Sequence, residues 1–131
     1  MVIDTSALIA ILLREPDAGR ITEAIEAGSP RLLSAANLLE ASIIIESRKG
    51  DAGGRELDLL IYRSGIEVVP VDQAQAEMAR LAWRRYGKGN HPAGLNYGDC
   101  FAYALAKSRR LPLLFRGNDF SGTDMAAVLA G

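Results

Sequence analysis

The chain opens MVIDTSALIA (residues 1–10), a short apolar run that stops at a carboxylate, Asp4, and resumes as SALIAILL over 6–13. This pattern predicts a buried strand at 2–4 and a helix over about 6–13, which must end before Pro16 because a residue preceding proline avoids helical angles. A carboxylate at the end of a buried strand costs several kcal/mol if unpaired, or else it takes up a proton. Something at that strand end has to compensate Asp4.

The same alternation recurs along the rest of the chain. DAGRITEAIEAG (17–28) reads as an amphipathic helix stopped by Gly28, and RLLS (31–34) as a strand feeding a long helix, AANLLEASIIIESRK, that Gly50 closes. A further helix is expected over 52–64, with Leu57, Leu60 and Ile61 on one face. IEVVPV (66–71) is a third strand that Pro70 places toward a sheet edge. QAQAEMARLAWRRYG (73–87) is a helix expected to turn Met78, Leu81 and Ala82 inward and its arginines outward. A glycine-rich loop, a helix over 97–109, the strand LLF at 113–115 and a short last helix from about Thr123 complete the chain. Strands alternating with helices predict a mostly parallel sheet of four to five short strands covered on both faces, a three-layer α/β/α sandwich. At 131 residues a single domain is expected.

Composition narrows the function. An apolar fraction of 49% with 24% charged residues describes a compact fold rather than a disordered chain. No apolar run approaches the roughly 18 residues of a membrane span, and no basic stretch precedes an apolar one at the N-terminus, so a cytoplasmic protein is expected. The single cysteine, Cys100, excludes an internal disulfide and any multi-cysteine metal site. The net charge is −1 but unevenly spread: residues 80–116 carry eight bases against one acid, Asp99, and residues 1–79 carry thirteen acids against seven bases. A basic stretch on an acidic chain can bind a polyanion, although solvated helix faces give the same pattern.

In open parallel sheets, ligands sit at the carboxyl ends of the strands. Asp4 ends the first strand, Glu40 lies in the helix after the second, Asp99 begins the helix GDCFAYALAK, and Asp119 follows the fourth strand. Three have ordinary explanations: Asp4 as a helix cap, Asp99 as a complement to a helix dipole, and Asp119 as a turn residue with Asn118. Glu40 is harder to explain so, because its helix is apolar nearly all round, implying burial, and no lysine or arginine lies within one turn. If the four converge, mutual repulsion requires cations, and oxygen-only ligands favour Mg²⁺ or Mn²⁺ over zinc.

MVIDTSAL, LLEAS, GLNYGDCFAYALA and LLFRGNDFSGTDM, in this order along essentially the whole chain, resemble the PIN-domain ribonucleases, specifically the VapC-type toxins of bacterial toxin–antitoxin systems. The resemblance implies one PIN domain over 1–131 and a metal-dependent endoribonuclease that hydrolyses RNA phosphodiester bonds. Its acidic cluster falls on Asp4, Glu40, Asp99 and Asp119, holding Mg²⁺ or Mn²⁺, with Ser6 in support; Asp124 competes for the last place. A homodimer is implied, with a small VapB-type antitoxin whose C-terminal segment lies in the catalytic groove of a larger complex. RNA entering an acidic cleft needs positive charge at its rim, for which Arg80, Arg84, Arg85, Lys88 and Arg116 are the candidates, Arg116 first.

Other residues are less informative. His91 is expected in an exposed loop, Cys100 to pack as a small hydrophobe, and Trp83, Tyr86, Tyr97 and Tyr103 to serve core or interface rather than stack on bases. The glycines of GKGNHPAG are not in phosphate-loop order. Two other functional classes compete. A phosphatase using Asp4 as nucleophile would carry a second aspartate two residues on, where this chain has Ser6. A non-catalytic, metal-stabilised RNA-binding or regulatory module on the same fold is the better alternative, and metal-dependent RNA cleavage separates it from an enzyme.

Overall fold

The computed structural model describes residues 1–129. It contains β1 (Val2–Ile3), α1 (Thr5–Leu12), α2 (Ala18–Ala27), β2 (Leu32–Ser34), α3 (Ala35–Arg63), β3 (Glu67–Val69), α4 (Gln73–Tyr86), α5 (Tyr97–Arg109) and β4 (Leu113–Leu114). The four strands form one sheet in the order β3-β2-β1-β4, every pairing parallel. β3, which ends just before Pro70, lies at the edge, where the sequence places it.

Successive strand residues point to opposite faces, and here both faces are covered. Val2, Leu32, Val69 and Leu113 pack with α4 and α5, while Ile3, Leu33 and Leu114 pack with α1, α2 and α3. These two cores join the sheet to the helix layers on its two faces. Fully burying each such leucine or isoleucine contributes about 1.5–3 kcal/mol, which explains why strands of two or three residues suffice. Among the described residues no helix is long and apolar enough to cross a membrane.

α3 runs on past the expected break, but Gly50 adopts φ 62°, ψ −154°, a left-handed conformation that kinks the helix where the sequence places its end. Three expectations need correction. Leu81 points outward, 54% exposed, because Ala79 and Ala82 take the buried stripe of α4. The apolar α3 is not buried all round: Leu39 and Ile43 are 62% and 58% exposed. Among the described residues no helix forms from Thr123, because the backbone there bonds to other segments. Asp124 N–H donates to the Tyr86 hydroxyl, Leu113 N–H to the Ala126 carbonyl, and Val128 N–H to the Leu113 carbonyl. Ala127 thereby makes a parallel bridge to Leu113, a rudimentary fifth strand beside β4.

Candidate active site

The chain reverses its direction of sheet growth between β1 and β4, and the candidate site lies at the carboxyl ends of the strands there, where such sheets hold ligands. Asp4 follows β1 in extended conformation and caps α1. Its Oδ2 accepts hydrogen bonds from the Ser6 amide at 3.0 Å and the Ser6 hydroxyl at 2.6 Å. Its Oδ1 is buried and has no hydrogen-bond partner. The Ser6 hydroxyl oxygen in turn accepts from the Arg116 amide at 2.9 Å, tying the cap of α1 to the loop after β4.

Glu40 projects from the second turn of α3. The amide nitrogen Nδ2 of Asn37, one turn earlier, donates to Glu40 Oε1 at 3.3 Å and to the Gly98 carbonyl at 3.0 Å. The Thr5 hydroxyl donates to the Asn37 carbonyl at 3.3 Å. A Cβ on Gly98 would overlap the Glu40 carboxylate, so α5 approaches α3 this closely only because glycine stands there. Neither Asn37 nor Gly98 is singled out by the sequence reading. No local signal marks Asn37: its complete burial three residues before Glu40 emerges only in the fold.

Asp99 enters at the start of α5 through a reciprocal cap: its amide donates to Asn96 Oδ1 at 2.8 Å, and the Asn96 amide donates to Asp99 Oδ2 at 3.0 Å. Asp119 follows β4 in the loop that carries Arg116. Asp4, Glu40, Asp99 and Asp119 line one cleft of about 310 Å³ together with Ser6, Glu15, Arg48, Asn96 and Arg116. Asp124 lies elsewhere: it accepts from the Tyr103 hydroxyl and Lys107 Nζ, both at 2.6 Å, and pairs with Arg85 at 3.6 Å. Those hydrogen bonds, Lys107 first, hold its carboxyl down at about 2.

The cleft raises the pKa of its most buried acids. Burial lifts Asp4 to about 6 despite the two hydrogen bonds from Ser6, and Glu40 and Asp119 add repulsion. Burial likewise lifts Asp99 to about 7 against the Asn96 amide, with Asp4, Asp119 and Glu40 contributing. Asp99 thus feels Asp4, Asp119 and Glu40, and Asp4 feels Glu40 and Asp119. All the unpaired donor capacity is oxygen, and the bare Oδ1 of Asp4 suits a hard cation. Among the described residues no group of three or more His, Cys, Asp and Glu side chains is arranged to hold a metal ion as it stands. A cation would therefore have to draw these side chains together.

The basic candidates separate. Arg116 lines the cleft, but its Nε lies 2.9 Å from Asp17 Oδ1 and its Nη2 lies 3.7 Å from Glu15 Oε2. Arg80 and Lys88 flank a groove of about 580 Å³ between α4 and α5 with Trp83, Tyr97 and Phe101, and Asn96 is common to this groove and the cleft. Arg84 borders neither, and Arg85 lies 4.9 Å over the Tyr86 ring beside Asp124. Arg48, which the sequence reading passes over as two turns distant from Glu40, lines the cleft. His91 is spent on structure, its Nδ1 accepting from the Ala93 amide and its ring edge-on to Tyr86. Cys100 is buried, and burial lifts its thiol to about 11. Tyr86 and Tyr103 belong to the core, whereas Trp83 and Tyr97 are exposed.

A PIN-domain family model matches residues 1–125. Ribonuclease VapC of Mycolicibacterium smegmatis is 59% identical over 128 residues, spanning 98% of this chain and 99% of that protein. Ribonuclease VapC30 of Mycobacterium tuberculosis is 57% identical, spanning 98% of each. Among solved structures, Mycobacterium tuberculosis VapC20, described as a toxin that cleaves the sarcin–ricin loop, matches with a TM-score of 0.79 over 95% of both chains at 16% identity. A chain of a toxin–antitoxin complex from Klebsiella pneumoniae matches with a TM-score of 0.71 at 20% identity, over 94% of this chain and 92% of that one. These two share the fold. With the family model spanning both ends of the sheet and relatives this similar over their whole length, the chain belongs to the PIN-domain family and, within it, to the VapC ribonucleases.

Proposed function

We propose that the protein is a Mg²⁺- or Mn²⁺-dependent endoribonuclease, the toxin of a type II toxin–antitoxin pair, and that it hydrolyses RNA phosphodiester bonds at the carboxylate cleft. The observation that carries this reading is the Oδ1 of Asp4, buried without a partner in a cleft shared with Glu40, Asp99 and Asp119. Helix capping accounts for the other oxygen of Asp4 but not for this one.

Asp4 and Asp99 would hold the ion, with Glu40 and Asp119 completing its surroundings. Bound there, the ion supplies positive charge against the phosphodiester and lowers the pKa of the attacking water. Ser6 fixes the rotamer of Asp4 through the 2.6 Å bond. Arg80 and Lys88 along the adjoining groove contact RNA phosphates, and Arg116, already paired with Asp17 and Glu15, offsets the acidity of the cleft. Arg84 and Arg85 are outside this set.

The same acidity supports an antitoxin partner that places a basic segment in the cleft. The exposed Leu39, Ile43, Leu81 and Trp83 are apolar surface that a homodimer interface would cover. The site of action would be the cytoplasm, where cellular RNA is found. The test is cleavage of cellular RNA by purified protein with Mg²⁺ or Mn²⁺. Activity lost on adding chelator and restored by excess Mn²⁺ supports the reading; equal cleavage with chelator present contradicts the metal dependence.

A further inference from the structure

We infer that Asn37 is a positioning residue for the carboxylate site, a strut that sets Glu40 against the start of α5 and thereby fixes the spacing between Glu40 and Asp99. Asn37 is 0% exposed and does not line the cleft, so it touches neither RNA nor a metal ion. Its Nδ2 bridges two acceptors from different elements, Glu40 Oε1 on α3 and the Gly98 carbonyl on α5, the residue next to Asp99. Both partners accept only, which settles the orientation of the amide. Its own carbonyl takes the Thr5 hydroxyl, so one residue joins the segments that carry Asp4, Glu40 and Asp99.

Stability alone does not explain an asparagine here. Asn37 Oδ1 is buried with no hydrogen-bond partner, a cost that an apolar residue of the same volume avoids. What leucine cannot do is donate to two acceptors at once. The Gly98 contact reinforces this: the glycine lets the Glu40 carboxylate lie directly on the helix backbone, and the Asn37 amide holds it there. Groups that orient metal ligands from behind typically alter metal affinity or activity by 10- to 100-fold when removed.

This inference rests on the metal-nuclease reading, and its test keeps the two apart. Asn37→Leu is compared with wild type in three measurements: melting temperature, RNA cleavage resolved into kcat and KM, and Mn²⁺ binding by electron paramagnetic resonance without RNA. The expected result is a melting temperature at or near that of wild type, a kcat at least tenfold lower with KM within twofold, and Mn²⁺ binding weakened about tenfold. In a Glu40→Gln background, Asn37→Leu should weaken Mn²⁺ binding no further, because Asn37 acts through Glu40. Wild-type kcat and Mn²⁺ affinity in Asn37→Leu, or losses that multiply with those of Glu40→Gln, would overturn the inference. If wild type itself binds no Mn²⁺, the metal reading fails and the inference falls with it, an outcome distinct from wild type and variant binding equally well. Should Asn37→Leu not fold, Asn37→Ala, which only shortens the side chain, replaces it in the same measurements: the same losses support the strut, and wild-type kcat and Mn²⁺ affinity overturn it.

Discussion

Asp4 gives one carboxylate oxygen to Ser6, at 2.6 Å from its hydroxyl and 3.0 Å from its amide, and leaves the other buried and bare. The first half of that arrangement is a helix cap of about 1 kcal/mol, which serine or threonine would supply as well. The second half costs free energy unless a proton or a cation occupies it.

Asp4→Asn should therefore abolish RNA cleavage while raising the melting temperature in metal-free buffer at pH 7.5 by a few degrees. An asparagine oxygen can still accept from Ser6, and the charge that burial penalises is gone. Scanning fluorimetry and a cleavage assay on the same preparation check it; a clearly lower melting temperature would make Asp4 a structural cap instead.

The raised carboxyls set a pH dependence. Unfolded, Asp4 and Asp99 titrate near 3.8, whereas folded they titrate near 6 and 7. Between those values the folded state binds protons that the unfolded state has released, so stability of the metal-free protein should fall as pH rises from 4 to 7.5. Asp124 acts in the opposite sense, but only as pH falls from 3.8 toward 2. Urea denaturation at several pH values in chelator should show greater stability at pH 5 than at pH 7.5, and saturating Mg²⁺ should remove most of the difference. A flat profile in chelator would contradict the raised carboxyls.

Gly98→Ala isolates the approach of α5 to Glu40. Alanine is the better helix former by up to about 1 kcal/mol, yet its Cβ would overlap the Glu40 carboxylate. The variant should lose tenfold or more in cleavage without gaining stability. A melting temperature above wild type with full activity would show that Glu40 is free to move aside.

The revised basic rim predicts which charge reversals affect RNA. In an Asp4→Asn background, Arg80→Glu with Lys88→Glu should weaken RNA binding for all sequences and lower the salt slope by about 0.7 per lost phosphate contact on single strands. Arg84→Glu, on a residue that borders neither groove nor cleft, should leave both unchanged. Filter binding across a salt series separates these outcomes.

Local signals made much of the fold legible in the sequence: Asp4 directly after an apolar pair, Gly50 at the kink, Pro70 just past the edge strand, and Asp99 at the start of α5. What was not legible depends on contacts between distant segments. The tail after Thr123 has helix-forming composition, but its backbone groups bond to Leu113 and Tyr86 instead. Arg116 reads as a free phosphate ligand until the fold sets it beside Asp17, 99 residues away in sequence. Asn37 and Gly98 look ordinary one at a time and matter only as a pair across α3 and α5. For the same reason the sequence placed Glu40 in search of a cationic partner or a metal, where the structure gives it an amide from its own helix.

The most direct measurement of the central claim is a crystal of the protein grown with Mn²⁺, with anomalous diffraction recorded at the manganese edge. The account predicts a peak in the cleft within about 2.1–2.3 Å of Asp4 Oδ1, with Asp99 drawn onto the same ion. Well-ordered crystals at saturating Mn²⁺ with no peak beside Asp4, or with a peak held only by other residues, would contradict it.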